Sequence, residues 1–455
     1  MTTAPADLLD ELAAIVGAEH IRRSNELAVV HPGVDERNLD AGVAVRPGST
    51  EEVAAVLAAC ERAGVAIVTH GGRTGLAAGG VSTPGQIILT TERIQPIEVD
   101  PVERLAVVGA GVTLQALQEA AAAHGLSPGI DIAARGTATI GGMISTNAGG
   151  MEAFRYGMMR QRLLGLTAVT ANGTVMRDDA RVTKANEGYD LKQLFCGAEG
   201  TLGVVTEAVV RLVKVDPPSQ TIMMGVETAE AALRVTRAFE DAGSLLLTEI
   251  MWRLYVDRVT QTLDLTDVIS FADAPIYAIV EIAGEADAAL ETLAPFMEDG
   301  TVVNAIMAQN EREKASIWRI REDTQAVRKK PGEALWFDIS VPLAGLDAYV
   351  DGLRARLTSI DPAYELSALG HLADGNLHMT VTGDGPLTDT DPIYLAVEEG
   401  LKASGGSISA EHGIGLAKLG SLSRNSSDGA LALMRAVKAA LDPKNILNPG
   451  KVVPG

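Results

Sequence analysis

The sequence predicts an α+β protein of two domains closed by a C-terminal segment, and three observations predict it. Three glycine-dense stretches, 69–80, 128–150 and 188–204, fall in the first half among apolar runs of strand length. The composition shifts at Asp216-Pro217-Pro218. Beyond that point strand-like runs (221–227, 276–283, 301–307) alternate with Ala- and Glu-rich helical stretches, and glycine loops become rare. Such a change in period and composition marks a separate α+β unit. The expected boundaries are 1–216, 217–405 and 406–455.

The chain has 455 residues, 47% of them hydrophobic, which is ample for a core and too long for one ordinary domain. Lys and Arg total 38 against 59 Asp and Glu, a formal charge of −21. That field disfavours nucleic acid and anionic lipid as partners. It permits a small anionic substrate, because a local basic pocket overrides it. Two cysteines, Cys60 and Cys196, are too few for a disulfide framework or a cysteine-based zinc site and fit a reducing compartment. No apolar run is long enough to span a bilayer. Asp7, Asp10 and Glu11 stand where a secretory leader is basic, and Leu8, Leu12, Ile15 and Val16 follow helical spacing. A cytoplasmic protein is expected.

Along the chain, Ser49 and Glu52 have capping-box spacing, Val53, Val56, Leu57 and Cys60 form an apolar stripe, and Gly64 closes the helix. Val65 to Thr69 is a short strand that runs into the first glycine loop. A helix follows from about Thr113 to His124. Segment 163–176 is a hairpin with Asn172-Gly173 in its turn. Segment 200–214 alternates as a strand, and the tail carries SISAEHGIG, a helix near 429–441 and LDPKNILNPGK.

The first glycine loop reads THGGRTGLAAGG. Its glycines let backbone N–H groups approach an anion closely, and Thr69, Thr74 and Arg73 add donors. It is not a P-loop, because no Gly-Lys-Ser/Thr follows, and it lacks GxGxxG. Alone, such a loop reads as a tight surface turn. Three glycine-dense segments within 140 residues imply one extended ligand laid against backbone, as a dinucleotide requires.

Three of the seven histidines fall in two short motifs, GHLADGNLH at 370–378 and SAEHGIG at 409–415. If Asp374-Gly375 is a two-residue type I′ turn, His371 pairs with His378 across the hairpin. Directly paired residues share a sheet face, with Cβ atoms roughly 5 Å apart. Two imidazoles at that separation suit a divalent metal, and equally a hydrogen-bonded sheet pair. Glu411 offers a third, oxygen ligand and equally reads as a cap or ion-pair residue. His412 beside it is placed to act as a base near neutral pH.

These segments resemble the FAD-binding domain of the vanillyl-alcohol oxidase / p-cresol methylhydroxylase superfamily, and within it the D-2-hydroxyacid dehydrogenase branch, over about residues 40–452. The resemblance implies a two-subdomain FAD-binding domain of the p-cresol methylhydroxylase type, an α+β substrate (cap) domain with an antiparallel sheet, and a C-terminal segment returning to the flavin. It places Gly71, Gly72, Arg73, Thr74 and Gly75 at the FAD pyrophosphate. Asp131, Gly136, Gly141, Gly142, Ser145 and Asn147 fall along the ribityl and flavin end. Glu199, Gly200 and Val204 fall near the adenosine half, and Asn448 near the flavin ring. Relatives with covalent FAD use a histidine after the paired glycines; Arg73 stands there, so non-covalent FAD is expected. The resemblance also makes His371, His378 and Glu411 ligands of a divalent metal, with zinc first and manganese or iron as alternatives. His412 becomes the catalytic base, and Arg321 in WRIRED the substrate-carboxylate arginine, although in isolation Arg321 reads as a surface helix arginine.

One departure bears on the substrate. Relatives specific for 2-hydroxyglutarate tend to carry a basic residue two positions before the Asp of D-[IVL]-S-[VL]-P. Here the segment is DISVP and that position is Trp336; a threonine one turn after the arginine is replaced by Gln325. A tryptophan packs against an apolar tail and cannot pair with a distal carboxylate. D-lactate or a larger monocarboxylate is therefore expected, with D-2-hydroxyglutarate as the alternative and Lys329 and Lys330 as substitute cations. The expected reaction is oxidation of a D-2-hydroxy acid to the 2-oxo acid, with a quinone, cytochrome or electron-transfer flavoprotein as acceptor and a homodimer as the assembly. Competing classes are a metal-dependent hydrolase, a non-catalytic FAD-binding subunit and a redox-neutral flavoenzyme.

Overall fold

A computed structural model describes residues 5–265, 274–324 and 333–454. The chain forms two compact units, Met1–Val215 with Glu411–Gly455, and Asp216–Ala410. Residues 406–410 thus belong to the second unit, and the tail from Glu411 is integral to the glycine-rich one.

The first unit holds two subdomains. One is a four-stranded sheet in the order Ile21–Arg23, Val43–Val45, Ile87–Thr90 and β1 (Ile67–His70), its last three strands parallel. Helix α1 (Thr50–Ala63) packs on it. Ser49 Oγ accepts from Glu52 N at 3.1 Å, an N-cap worth about 1 kcal/mol, while Glu52 Oε2 accepts from Gly48 N at 2.7 Å, one residue before the position a full capping box uses. Its stripe of Val53, Val56, Leu57 and Cys60 is fully buried with Ile67, Ile87 and Leu89. Each such side chain contributes roughly 1.5–3 kcal/mol. The other subdomain is a five-stranded antiparallel sheet, ordered Ile97–Asp100, Leu105–Gly109, Val204–Arg211, Leu163–Val169, Val175–Asp178. The expected hairpin forms there, with Val169 opposite Val175. The second glycine segment contains the short helix α2 (Ile140–Thr146), and the third meets its C-terminal end, where Gly197 N donates to Ile144 O and Glu199 N to Ser145 O.

The second unit is a seven-stranded antiparallel sheet of β2 (Ser219–Val226), β3 (Leu245–Trp252), β4 (Ile276–Ala283), β5 (Val302–Met307), β6 (Ala334–Ser340), β7 (Glu365–His371) and β8 (Asn376–Thr382). Its order is β5-β2-β4-β3-β7-β8-β6. Two helices, α3 (Arg253–Leu263) and α4 (Glu311–Glu322), cover one face, where Tyr255, Val259, Ile317 and Ile320 pack on Met223, Met251, Ile279 and Leu369. Polar ties also hold α4 down. Lys314 and, at 3.1 Å, Trp318 Nε1 donate to the buried Glu281 carboxylate of β4, and one turn further Arg321 meets Glu249 of β3. Positions 314, 318 and 321 lie on one face of a helix.

Candidate active site

In the first unit a cleft runs between the three glycine segments. Gly71, Gly72, Arg73, Thr74, Gly75, Gly141, Gly142, Ser145, Glu199, Gly200, Val204 and His412 line it. The walls are backbone packed on backbone. A Cβ on Gly72 would lie 1.9 Å from Thr137 O, so only glycine fits there. Two buried polar atoms that line the cleft, Thr69 Oγ1 and His70 Nδ1, have no hydrogen-bond partner among the described residues. A polar ligand in the cleft would satisfy them. His70 Nε2 donates to Gly80 O at 2.7 Å. Burial lowers its pKa to about 4, so the ring stays neutral and supports the loop.

His412 reaches this cleft on the segment 411–415, and Glu199 holds that segment. Glu199 Oε1 accepts from Ile414 N at 2.7 Å, and Oε2 from Gly415 N at 3.0 Å. Burial raises its pKa, opposed by those backbone donors. Glu411 Oε1 accepts from Gly150 N at 3.0 Å, which ties the segment's start to the second glycine stretch.

In the second unit the face under α3 and α4 carries a polar row. Residue pairings place Ser340, Asn376, His371 and Glu249 side by side across β6, β8, β7 and β3, with Asp338 and His378 in the next row. The His371 and His378 rings meet edge to face, centroids 5.3 Å apart. The hairpin register differs from the sequence expectation. His371 pairs with Asn376 and Leu369 with His378, because the turn contains four residues, 372–375, with Gly375 in the left-handed region at φ 76°. Asp374 Oδ1 accepts from Asn376 N at 3.0 Å and closes the turn. The histidines are therefore diagonal neighbours. A two-residue change of register keeps every side chain on its face, so the pair survives the correction.

Glu249 is fully buried and opposite His371. His371 Nδ1 donates to its Oε1 at 2.6 Å, and Arg321 Nε to its Oε2 at 2.5 Å. Burial would push the Glu249 pKa up, but Arg321 and His371 together hold it below the ordinary value. An ionised Glu249 only accepts, so Nδ1 carries a proton toward it. Asn376 Nδ2 donates to Asp338 Oδ1 and to Ile339 O, both at 2.9 Å, which fixes the amide's orientation. Its Oδ1 is buried with no partner among the described residues. Two imidazoles, one oriented by a buried carboxylate, fit a divalent ion chemically.

Residues 216–452 match the FAD linked oxidases C-terminal domain, and residues 41–179 an FAD binding domain. Over 421 residues the chain is 36% identical to D-2-hydroxyglutarate dehydrogenase of Xanthomonas citri pv. viticola, covering 89% of this chain and 88% of that protein. The chain belongs to the FAD-linked D-2-hydroxyacid dehydrogenase family. The mitochondrial D-2-hydroxyglutarate dehydrogenase of Bos taurus is 35% identical over 90% of this chain and 77% of its own length. The fold matches p-cresol methylhydroxylase with substrate bound at a TM-score of 0.72 and 16% identity, over 98% of this chain and 96% of that one. The matched FAD binding domain includes the first two glycine segments.

Four residues expected along FAD in this dehydrogenase do not line the cleft. The Asp131 carboxylate engages Arg135 and Gln118. Gly136 lies beside Gln115. Asn147 ends α2 in the left-handed region and accepts from Arg160 N at 2.9 Å. Asn448 is buried, its amide donating to Gly79 O at 3.0 Å and Glu199 O at 2.8 Å, so it braces the cleft from behind. Arg321 is 7% exposed and held by Glu249, not a surface arginine. Trp336, 49% exposed, shares the sheet face of Asp338, two residues along β6. Gln325, Lys329 and Lys330 lie outside the described residues. Glu249 and Asn376 escaped sequence reasoning. Asn376 sits within GHLADGNLH and was within reach of a motif reading, whereas Glu249 lies 122 residues from His371 and nothing local marks it.

Proposed function

We propose that this enzyme oxidises a D-2-hydroxy acid to its 2-oxo acid, using non-covalent FAD and a divalent metal. The observation that carries the proposal is His412 in the same cleft as the glycine segments, within one unit. When bound, the flavin supplies the acceptor for the C2 hydride, and a metal ion supplies a Lewis acid that lowers the pKa of the substrate hydroxyl. His412 takes the hydroxyl proton. Arg321 binds the substrate carboxylate and fixes its orientation. His371 and His378 are the imidazole ligands of the metal and Glu411 its oxygen ligand, with zinc the first ion to test and manganese or iron next. Arg73 stands where a histidine would be needed for a covalent flavin link, which supports dissociable FAD.

D-2-Hydroxyglutarate is the substrate favoured by the names of the relatives, in place of the sequence-based lean to D-lactate. A second reading, an acid with an apolar tail, rests on Trp336. Reoxidation by a quinone, cytochrome or electron-transfer flavoprotein, a homodimeric assembly and a cytoplasmic setting complete the proposal. No helix among the described residues is long and apolar enough to cross a membrane. The test is product identity with an artificial electron-accepting dye. Formation of 2-oxo acid from one D-acid, and none from its L-enantiomer, is expected. Dye-independent turnover without net oxidation would favour the redox-neutral class instead.

A further inference from the structure

Resting on the metal-dependent reading above, we propose that Glu249 is the positioning residue that sets the metal-ligand histidine and the carboxylate-binding arginine together. One carboxylate reaches both groups, His371 Nδ1 at 2.6 Å through Oε1 and Arg321 Nε at 2.5 Å through Oε2. It is 0% exposed, so water does not screen or replace either contact. Its place is set by β3 pairing with β7, which puts Glu249 directly opposite His371, and by α4, which lowers Arg321 onto the same face.

The two contacts do different things. At His371 the carboxylate fixes the tautomer and the ring plane, so Nε2 is the atom offered to an ion, and raises its basicity. At Arg321 it holds the guanidinium through Nε, which orients the plane of the group that would bind a substrate carboxylate. Glu249 also compensates the arginine's charge in a site closed to solvent. Metal position and substrate carboxylate position are thereby referred to one rigid group.

A purely structural carboxylate gives the control. Glu281, on the neighbouring strand β4, is also buried and ties α4 to the sheet through Lys314 and Trp318, and among the described residues no histidine is hydrogen-bonded to it. The experiment measures zinc and manganese affinity of chelator-stripped, FAD-loaded protein by competition with a chromophoric chelator, for wild type, Glu249→Gln, Glu249→Asp and Glu281→Gln. Thermal melts are recorded in parallel, and KM and kcat are taken on metal-saturated samples. Glu249→Gln is expected to weaken metal binding about 10- to 100-fold and to raise KM, with Glu249→Asp recovering part of the loss. Glu281→Gln is expected to lower the melting temperature with metal affinity unchanged. Wild-type affinity in Glu249→Gln, or an equal loss in Glu281→Gln, would overturn the proposal. If Glu249→Gln does not fold, Glu249→Asp decides it: affinity and KM equal to wild type overturn the role. A wild-type protein that binds neither ion refutes the metal-dependent reading itself, a result distinct from these.

Discussion

Glu249 and His371 face each other across the β3–β7 pair, joined by a 2.6 Å hydrogen bond in a part of the sheet closed to solvent. The bond fixes which imidazole nitrogen faces the carboxylate. The same carboxylate holds Arg321, so two residues 50 positions apart in sequence answer to one anchor.

Replacing His412 with Ala should abolish flavin reduction by substrate while the visible flavin spectrum persists. General-base removal is expected to lower the reduction rate by about 10²- to 10⁴-fold. Stopped-flow absorbance of the variant checks this, and reduction near the wild-type rate would remove His412 from the chemistry.

Glu199 positions the segment that carries His412. Glu199→Gln loses one acceptor for Ile414 and Gly415, so kcat should fall about tenfold, with substrate KM little changed. Steady-state kinetics with full FAD occupancy tests it. An unchanged kcat would show that the segment needs no such clasp.

Acid should destabilise the protein through His70. Its folded pKa is about 4 against 6.5 in an unfolded chain. The unfolded state therefore takes up the proton first. Its contribution is fully present above pH 6.5 and is lost as pH falls toward 4, to the order of 3 kcal/mol. Urea melts between pH 7 and 4.5 should show a shallower pH slope in His70→Gln, which keeps a donor toward Gly80.

Trp336→Lys should raise kcat/KM for D-2-hydroxyglutarate relative to an acid with an apolar tail by about tenfold, the worth of one charge-assisted contact. Equal ratios in variant and wild type would place the tail elsewhere.

The glycine segments were legible because a backbone-lined cleft must be built from residues without side chains, and no other composition serves. The histidine pair was legible despite the wrong turn length, since face depends on parity, and four turn residues preserve the parity that two would give. Arg321 illustrates what was not legible. Its helix looks charged and solvent-facing in sequence, and only the strand it lands on reveals a buried partner. Glu249 was hidden for the same reason, because antiparallel pairing of strands far apart in the chain brings it to His371. Asn448 was assigned to the ligand by the resemblance; its amide is bonded to Gly79 and Glu199, contacts that only the folded chain reveals.

The most direct measurement is anaerobic bleaching of the visible flavin band by matched D- and L-2-hydroxy acids, with and without chelator. Rapid bleaching by a D-acid, lost on chelation and restored by a divalent ion, is the result predicted here. A yellow protein that no 2-hydroxy acid bleaches, or that bleaches equally after complete metal removal, would contradict the account.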